Sequence, residues 1–283
     1  MKATFGPSGN PEDFYASGGK KTVQIFSWLK EYGLDAYEYS AGKGIHGSLE
    51  TFAAMGKEAR ENGILTSFHT PYFISLSGVD PEKRLKSIEY IKQSLEAARA
   101  INADTIVIHS GSAAKISREE ALSLAKDTMS RVVDEIPDDG IRLGIETMGK
   151  VNQLGTLDEV IEICKVSDRL CPVVDFGHLN ARDFGGVFTA ADDYRRVFCK
   201  IGEALGDEKA KNLHCHFSKI EYTVPGGEKQ HLTFDDTTYG PNFEPLGEVI
   251  VKEGLCPRII CESAGTQARD ALFMKRCTYA EKN

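Results

Sequence analysis

The chain has 283 residues, 41% hydrophobic and 27% charged, with a formal net charge of −8. That composition excludes a disordered or fibrous protein, and the acidic balance argues against broad non-specific binding to nucleic acid, which needs a basic face. No apolar run reaches the ~20 residues of a membrane span, and residues 1–6 carry no signal-peptide core, so the expectation is a cytoplasmic protein that meets no membrane. Seven cysteines without a Cys-x-x-Cys pair read as reduced core thiols and agree with that compartment.

Taken in order, apolar β-rich runs appear at 3–5, 36–39, 65–68, 105–108, 142–145, 172–174, 212–214 and 258–261. Helical patterns with start signals lie between them. Asp80-Pro81-Glu82 opens a helix reaching about Ile101, and Ser117-Arg118-Glu119-Glu120 forms a capping box. Thr156 with Glu159, Thr189 with Asp192, and Thr266 with Asp270 mark further starts. Eight strands alternating with helices, with no linker or low-complexity tract, predict one domain over residues 1–283: an α/β (β/α)₈ TIM barrel. A doubly wound sheet is disfavoured because Gly6-Pro7-Ser8-Gly9 lacks the dinucleotide-binding spacing.

In such a barrel the strand ends form one ring at the C-terminal mouth. His69, His109, Glu146, Asp175, His178, His214, His216 and Glu262 all fall there, and His231 follows in the long segment after strand seven. Only His46 of the histidines has no strand-end position. Val173-Val174-Asp175-Phe176-Gly177-His178 is the clearest case, a buried run that ends in Asp and turns at Gly177. Facing carboxylates without cations would repel, and divalent cations turn that repulsion into coordination. Imidazole and carboxylate without thiolate fit Zn²⁺, Mn²⁺ or Fe²⁺. Strand alternation puts His214 and His216 on one side and turns Cys215 and Cys261 outward, away from any ligand role. So many donors predict two or three ions, suited to clamping a phosphate.

The ordered motifs Phe68-His69-Thr70-Pro71-Tyr72, Ile108-His109-Ser110-Gly111-Ser112, Ile145-Glu146-Thr147, Val174-Asp175-Phe176-Gly177-His178, Leu213-His214-Cys215-His216-Phe217-Ser218-Lys219 and Cys261-Glu262-Ser263 resemble the endonuclease IV family of apurinic/apyrimidinic (AP) endonucleases. The resemblance spans essentially the whole chain. It implies a trinuclear zinc site that cleaves DNA 5′ to an abasic sugar, with water acidified by the cations as nucleophile. By motif it assigns His69, His109 and a bridging Glu146 to one metal. Asp175, His214 and Glu262 join Glu146 at a second, and His178 and His231 hold a third. His216 is a possible additional ligand. Glu146 and Glu262 are the expected catalytic carboxylates, and Tyr72, Ser110, Lys219 and Lys229 the expected substrate contacts. The expected partner is DNA containing abasic sites, bound by a monomer.

The chain also departs from that pattern. The family holds its third metal with Asp-x-His after strand seven, where this chain has Lys229-Gln230-His231. Either His216, Asp235, Asp236 or Glu228 supplies the missing donor, or the third metal is weakly held or absent. Basic residues recur on the loops after the strands, at Lys20, Lys21, Lys43, Lys115, Lys150, Arg182, Lys219 and Lys229. The alternative function is a sugar isomerase or epimerase, with one metal held by Glu146, Asp175, His214 and Glu262 and the carboxylates moving protons.

Overall fold

A computed structural model describes residues 2–279. Its central sheet contains β1 (Thr4–Pro7), β2 (Ala36–Ser40), β3 (Leu65–His69), β4 (Thr105–His109), β5 (Arg142–Glu146), β6 (Leu170–Asp175) and β7 (His214–Phe217). An antiparallel hairpin of β8 (Ile220–Thr223) and β9 (Gly227–His231) follows, and then β10 (Arg258–Cys261) completes the sheet. The eight parallel strands run in the order β1-β10-β7-β6-β5-β4-β3-β2, and a bridge between Ser8 and Glu38 joins the two edges. This is the predicted (β/α)₈ barrel, drawn together at that seam. Residues such as Ile106, Ile108, Leu143, Ile145 and Val174 are fully buried, as expected of strands covered on both faces.

The helices are α1 (Glu12–Ala16), α2 (Ile25–Tyr32), α3 (Leu49–Asn62), α4 (Pro81–Ala100), α5 (Arg118–Glu135), α6 (Leu157–Cys164) and α7 (Phe176–Arg182). They continue with α8 (Ala191–Leu205), α9 (Asp207–Lys211), α10 (Glu244–Glu253) and α11 (Gln267–Tyr279). The start signals act as read. Asp80 accepts from the Glu82 amide at 3.0 Å, Ser117 from that of Glu120 at 3.1 Å, and Thr156 and Glu159 close a reciprocal capping box. At α8 the cap lies one residue later than expected. The Asp193 carboxylate accepts from the Thr189 and Ala190 amides, both at 2.8 Å.

Two local readings need correction. The seventh barrel strand begins at His214, not Asn212, so His214 stands at its entry. Gly177 does not turn the chain; it lies in the first turn of α7, capped by Asp175, whose Oδ1 accepts from the His178 amide at 2.7 Å. Glycine is needed there because a Cβ would stand 2.5 Å from the Ser218 carbonyl oxygen.

At the opposite end of the barrel, Arg258 donates to both oxygens of Asp104, at 2.8 and 2.7 Å, and to the Thr66 carbonyl at 3.1 Å. Among the described residues no helix is long and apolar enough to cross a membrane.

Candidate metal centre

Parallel register decides which side chains meet. Glu146 pairs with His109 on one side and Val173 on the other, while Asp175 pairs with His216 and Val173 with His214. His216 therefore stands level with Asp175, and His214 lies one inward-facing layer deeper. The expectation that His214 joins Asp175 and Glu262 is corrected by this register. His216 takes that place.

Glu146 is the hub. Its Oε2 lies 3.2 Å from His69 Nε2 and 3.4 Å from His109 Nε2; its Oε1 lies 2.9 Å from His216 Nδ1 and 3.5 Å from His178 Nδ1. Donor atoms lie within 4.8 Å of one another in the sets His69–His109–Glu146, Glu146–Asp175–His216–Glu262 and His178–His231–Glu262. Any of these could hold a divalent cation. The buried Oδ2 of Asp175 has no hydrogen-bond partner, although the same group's Oδ1 caps α7. A buried carboxylate oxygen without a donor suits a cation ligand, and imidazole with carboxylate suits zinc.

The hairpin supplies His231 of the third set and brings Glu228, one of the four candidate donors, beside it. Tyr222 pairs with Glu228 and Glu221 with Gln230, so Lys229 is the extra residue of a β-bulge. The bulge reverses the alternation, bringing Glu228 and His231 toward the same site. Glu228 Oε2 lies 3.5 Å from His178 Nε2, and its Oε1 lies 4.0 Å from His231 Nε2. Lys229 points outward, 2.6 Å from Glu221, with its side chain half exposed. It stands in no donor's place. His231 Nδ1 is 2.8 Å from Ser218 Oγ, which orients the ring.

Charge inside the mouth is strongly mutual. Burial opposes the charged form of His69, yet Glu146, Glu38 and Glu262 push it up to about 9. His178 is likewise pushed up to about 9, against burial, by Asp175, Glu228 and Glu146. Burial outweighs the carboxylates at His109 and lowers it to about 4. Glu146 sits well below the usual carboxylate range because His216 and His69 overcome its burial. Burial, reinforced by Glu262, raises Asp175.

The other expected contacts divide. Tyr72 is 59% exposed on the turn after β3, free to meet a ligand. Ser110 is buried and donates to the Leu154 carbonyl at 2.9 Å. Lys219 is tied to the Phe234 and Asp236 carbonyls. Arg182 is buried and donates to four carbonyls, those of Met148, Lys150, Val151 and Gln153. Ser110 and Lys219, expected at the substrate, and Arg182, one of the basic loop residues, are thus hydrogen-bonded to loop carbonyls.

Sequence reading missed Glu38. It is fully buried on β2, with Oε2 2.8 Å from Ser67 Oγ and 2.9 Å from His214 Nε2, and Oε1 2.9 Å from His216 Nε2. The available signal was a carboxylate inside a short strand, Ala36-Tyr37-Glu38-Tyr39, where a barrel interior favours branched apolar residues.

Comparison with known proteins gives the context. The model of the xylose isomerase-like TIM barrel family matches residues 26–277. An uncharacterized protein of Methanocaldococcus jannaschii is 30% identical over 279 residues, 96% of each chain. A probable endonuclease 4 of Acholeplasma laidlawii is 26% identical over 195 residues, covering 68% of this chain and 65% of that relative. Among solved structures, endonuclease IV from Thermus thermophilus superposes with a TM-score of 0.66 at 17% identity, over 99% of this chain and 98% of that one. A D-tagatose 3-epimerase-like protein gives 0.66 at 21%, over 96% and 94%. At such identities the structural likeness shows the fold alone.

Proposed function

The chain belongs to the xylose isomerase-like TIM barrel family, and within it we propose a metal-dependent phosphodiesterase that cleaves DNA at apurinic/apyrimidinic sites, in base excision repair. The observation that carries this reading is Glu146. Its two oxygens face different donor sets, so one carboxylate would serve two cations, as a phosphate clamp requires and a one-cation isomerase does not. The likeness to probable endonuclease 4 sequences supports the same choice.

Divalent cations, zinc by donor chemistry, would be held by His69, His109 and Glu146, by Glu146, Asp175, His216 and Glu262, and by His178, His231 and Glu262 with Glu228 beside them, where they would neutralise phosphate oxygens and acidify a water. The chain's own residues do the rest. Glu262, 16% exposed at the side chain, is the mouth carboxylate placed to hold a proton beside the reacting phosphate. Tyr72 offers a ring on which a base or sugar can stack. Asp175 and His178 are fixed by α7, and His231 by Ser218, so the donors converge without reorganisation. Lys219 and Arg182 are engaged within the fold, which leaves the cations as the charge nearest a phosphate at the donor ring.

A second reading has its own support. Glu146, Asp175, His216 and Glu262 alone make a four-donor set for one cation, the layout of a sugar epimerase whose carboxylates move protons. Two measurements separate the readings. Elemental analysis giving two or three ions per chain favours phosphoryl chemistry, and one ion favours the epimerase. A duplex with a single abasic analogue should be nicked by zinc- or manganese-loaded protein and spared after chelation. An intact duplex at every pH tried removes the first reading.

A further inference from the structure

Beneath His216 lies a second polar layer that the proposed reaction does not use. Glu38, Ser67 and His214 are each 0–1% exposed and contributed by β2, β3 and β7. Removing a carboxylate from water costs several kcal/mol unless partners compensate. Glu38 has three. Ser67 donates to Oε2, the His214 ring faces the same oxygen, and Oε1 faces His216 Nε2 at 2.9 Å. Oε1 and Nε2 make no hydrogen bond to each other or to any other group among the described residues, so this 2.9 Å approach between imidazole and carboxylate is the nearest polar contact of either atom.

His216 is thus flanked at both nitrogens. Its Nδ1 is 2.9 Å from Glu146 Oε1 and 3.6 Å from Glu262 Oε2, and its Nε2 looks down at Glu38. An imidazole can give a lone pair to a cation from one nitrogen only while the other keeps its proton, and a carboxylate beside that proton fixes which is which. We propose that Glu38 is the positioning residue of the mouth: it holds the Nε2–H edge of His216 so that Nδ1 presents its lone pair to the set formed with Glu146, Asp175 and Glu262. Ser67 and His214 hold Glu38 in turn. The inference rests on the metal-dependent reading above. A rival role is available, because Glu38, His214 and His216 also bring donor atoms within 4.8 Å of one another. Against it, Ser67 and His214 already occupy Oε2, and the layer is closed to solvent.

The test compares zinc-loaded wild type with Glu38→Gln, which keeps the volume. Titration against a competing chelator should show one ion held about 10–100-fold more weakly in the variant, the others unchanged. Nitrogen-15 spectra of the zinc-loaded wild type should show His216 bearing zinc on Nδ1 and a proton on Nε2, a readout that needs no variant and that a merely structural role would not produce. Unaltered zinc affinity in Glu38→Gln, or zinc on Nε2 of His216, overturns the inference. So does an additional ion in the wild type that vanishes in the variant, since Glu38 would then be a ligand. Wild type that binds zinc yet leaves the abasic duplex intact overturns the phosphodiesterase reading only. Wild type that nicks, with the variant unchanged in affinity and tautomer, overturns this inference only. A chain that binds no zinc overturns both.

Discussion

The two halves of the mouth are built differently. His69, His109 and Glu146 end adjacent barrel strands, and their spacing is inherited from parallel register. His178, Glu228 and His231 come from α7 and from a two-stranded hairpin outside the barrel. Glu146 is almost fully buried at its side chain, whereas that of His231 is 25% exposed. The hairpin half is held by close approach: a Cβ on Gly149 would stand 2.6 Å from the Glu228 Cβ and 3.0 Å from the His178 ring. One half therefore follows from the fold, while the other depends on a bulge and on missing side chains.

Glu146→Gln is the severest way to challenge that division, because Glu146 stands between the halves. Nicking of an abasic duplex should fall by at least about 10³-fold, with more than one ion lost by elemental analysis. Retention of every ion would show that no carboxylate joins them. Glu228→Gln should weaken a single ion, about 10–100-fold, and leave the pair at His69 and His216 intact. Gly149→Ala should reproduce that loss by displacing Glu228, with an overpacking cost of about 1–3 kcal/mol in denaturant melts. If Glu228→Gln binds every ion as before, the bulge does not build a donor.

Removing the metal with a chelator should make stability depend on pH from both sides. His69 and His178 are raised from 6.5 to about 9 in the fold, so their contribution is complete below 6.5 and lost as pH rises through 9. His109 is lowered to about 4, so its contribution fades as pH falls from 6.5 towards 4. The stripped protein should melt highest near pH 6.5 and roughly 5 °C lower at pH 9, a loss that zinc abolishes. A flat alkaline limb in the stripped protein would contradict the charge pattern. The smallest effect belongs to the far end of the barrel. Asp104→Asn leaves Arg258 without its partner and should cost about 1–2 kcal/mol, discounted from a buried pair because Asp104 is 48% exposed at the side chain, with ion count unchanged.

The sequence made the strand-borne half legible because strand ends of a parallel barrel share one rim, so position along the chain becomes position in space. The caps at Asp80, Ser117 and Thr156 were legible for a similar reason: each is a local contact. His214 was placed a layer too high because β7 begins two residues later than its apolar run. Glu228 stands among four candidate donors in the sequence, and the choice between them depends on the bulge at Lys229, which changes the spacing of donors from that of a regular strand. Glu38 is only a member of the strand run 36–39 in the sequence, since nothing near it in the chain reveals the histidines of β7 that it meets across the barrel.

The seam between β1 and β2 has one more consequence. Besides the bridge from Ser8, the Glu38 carbonyl accepts from the Gly9 amide at 2.8 Å, so the backbone of Glu38 fastens the barrel shut while its side chain underlies the mouth. The first and second strands are the two edges of the sheet, and they meet at this seam. Opening that seam would carry Glu38 away from His216, so closure of the ring and completion of the site are coupled. Metal would then act as a latch that rewards only the finished barrel.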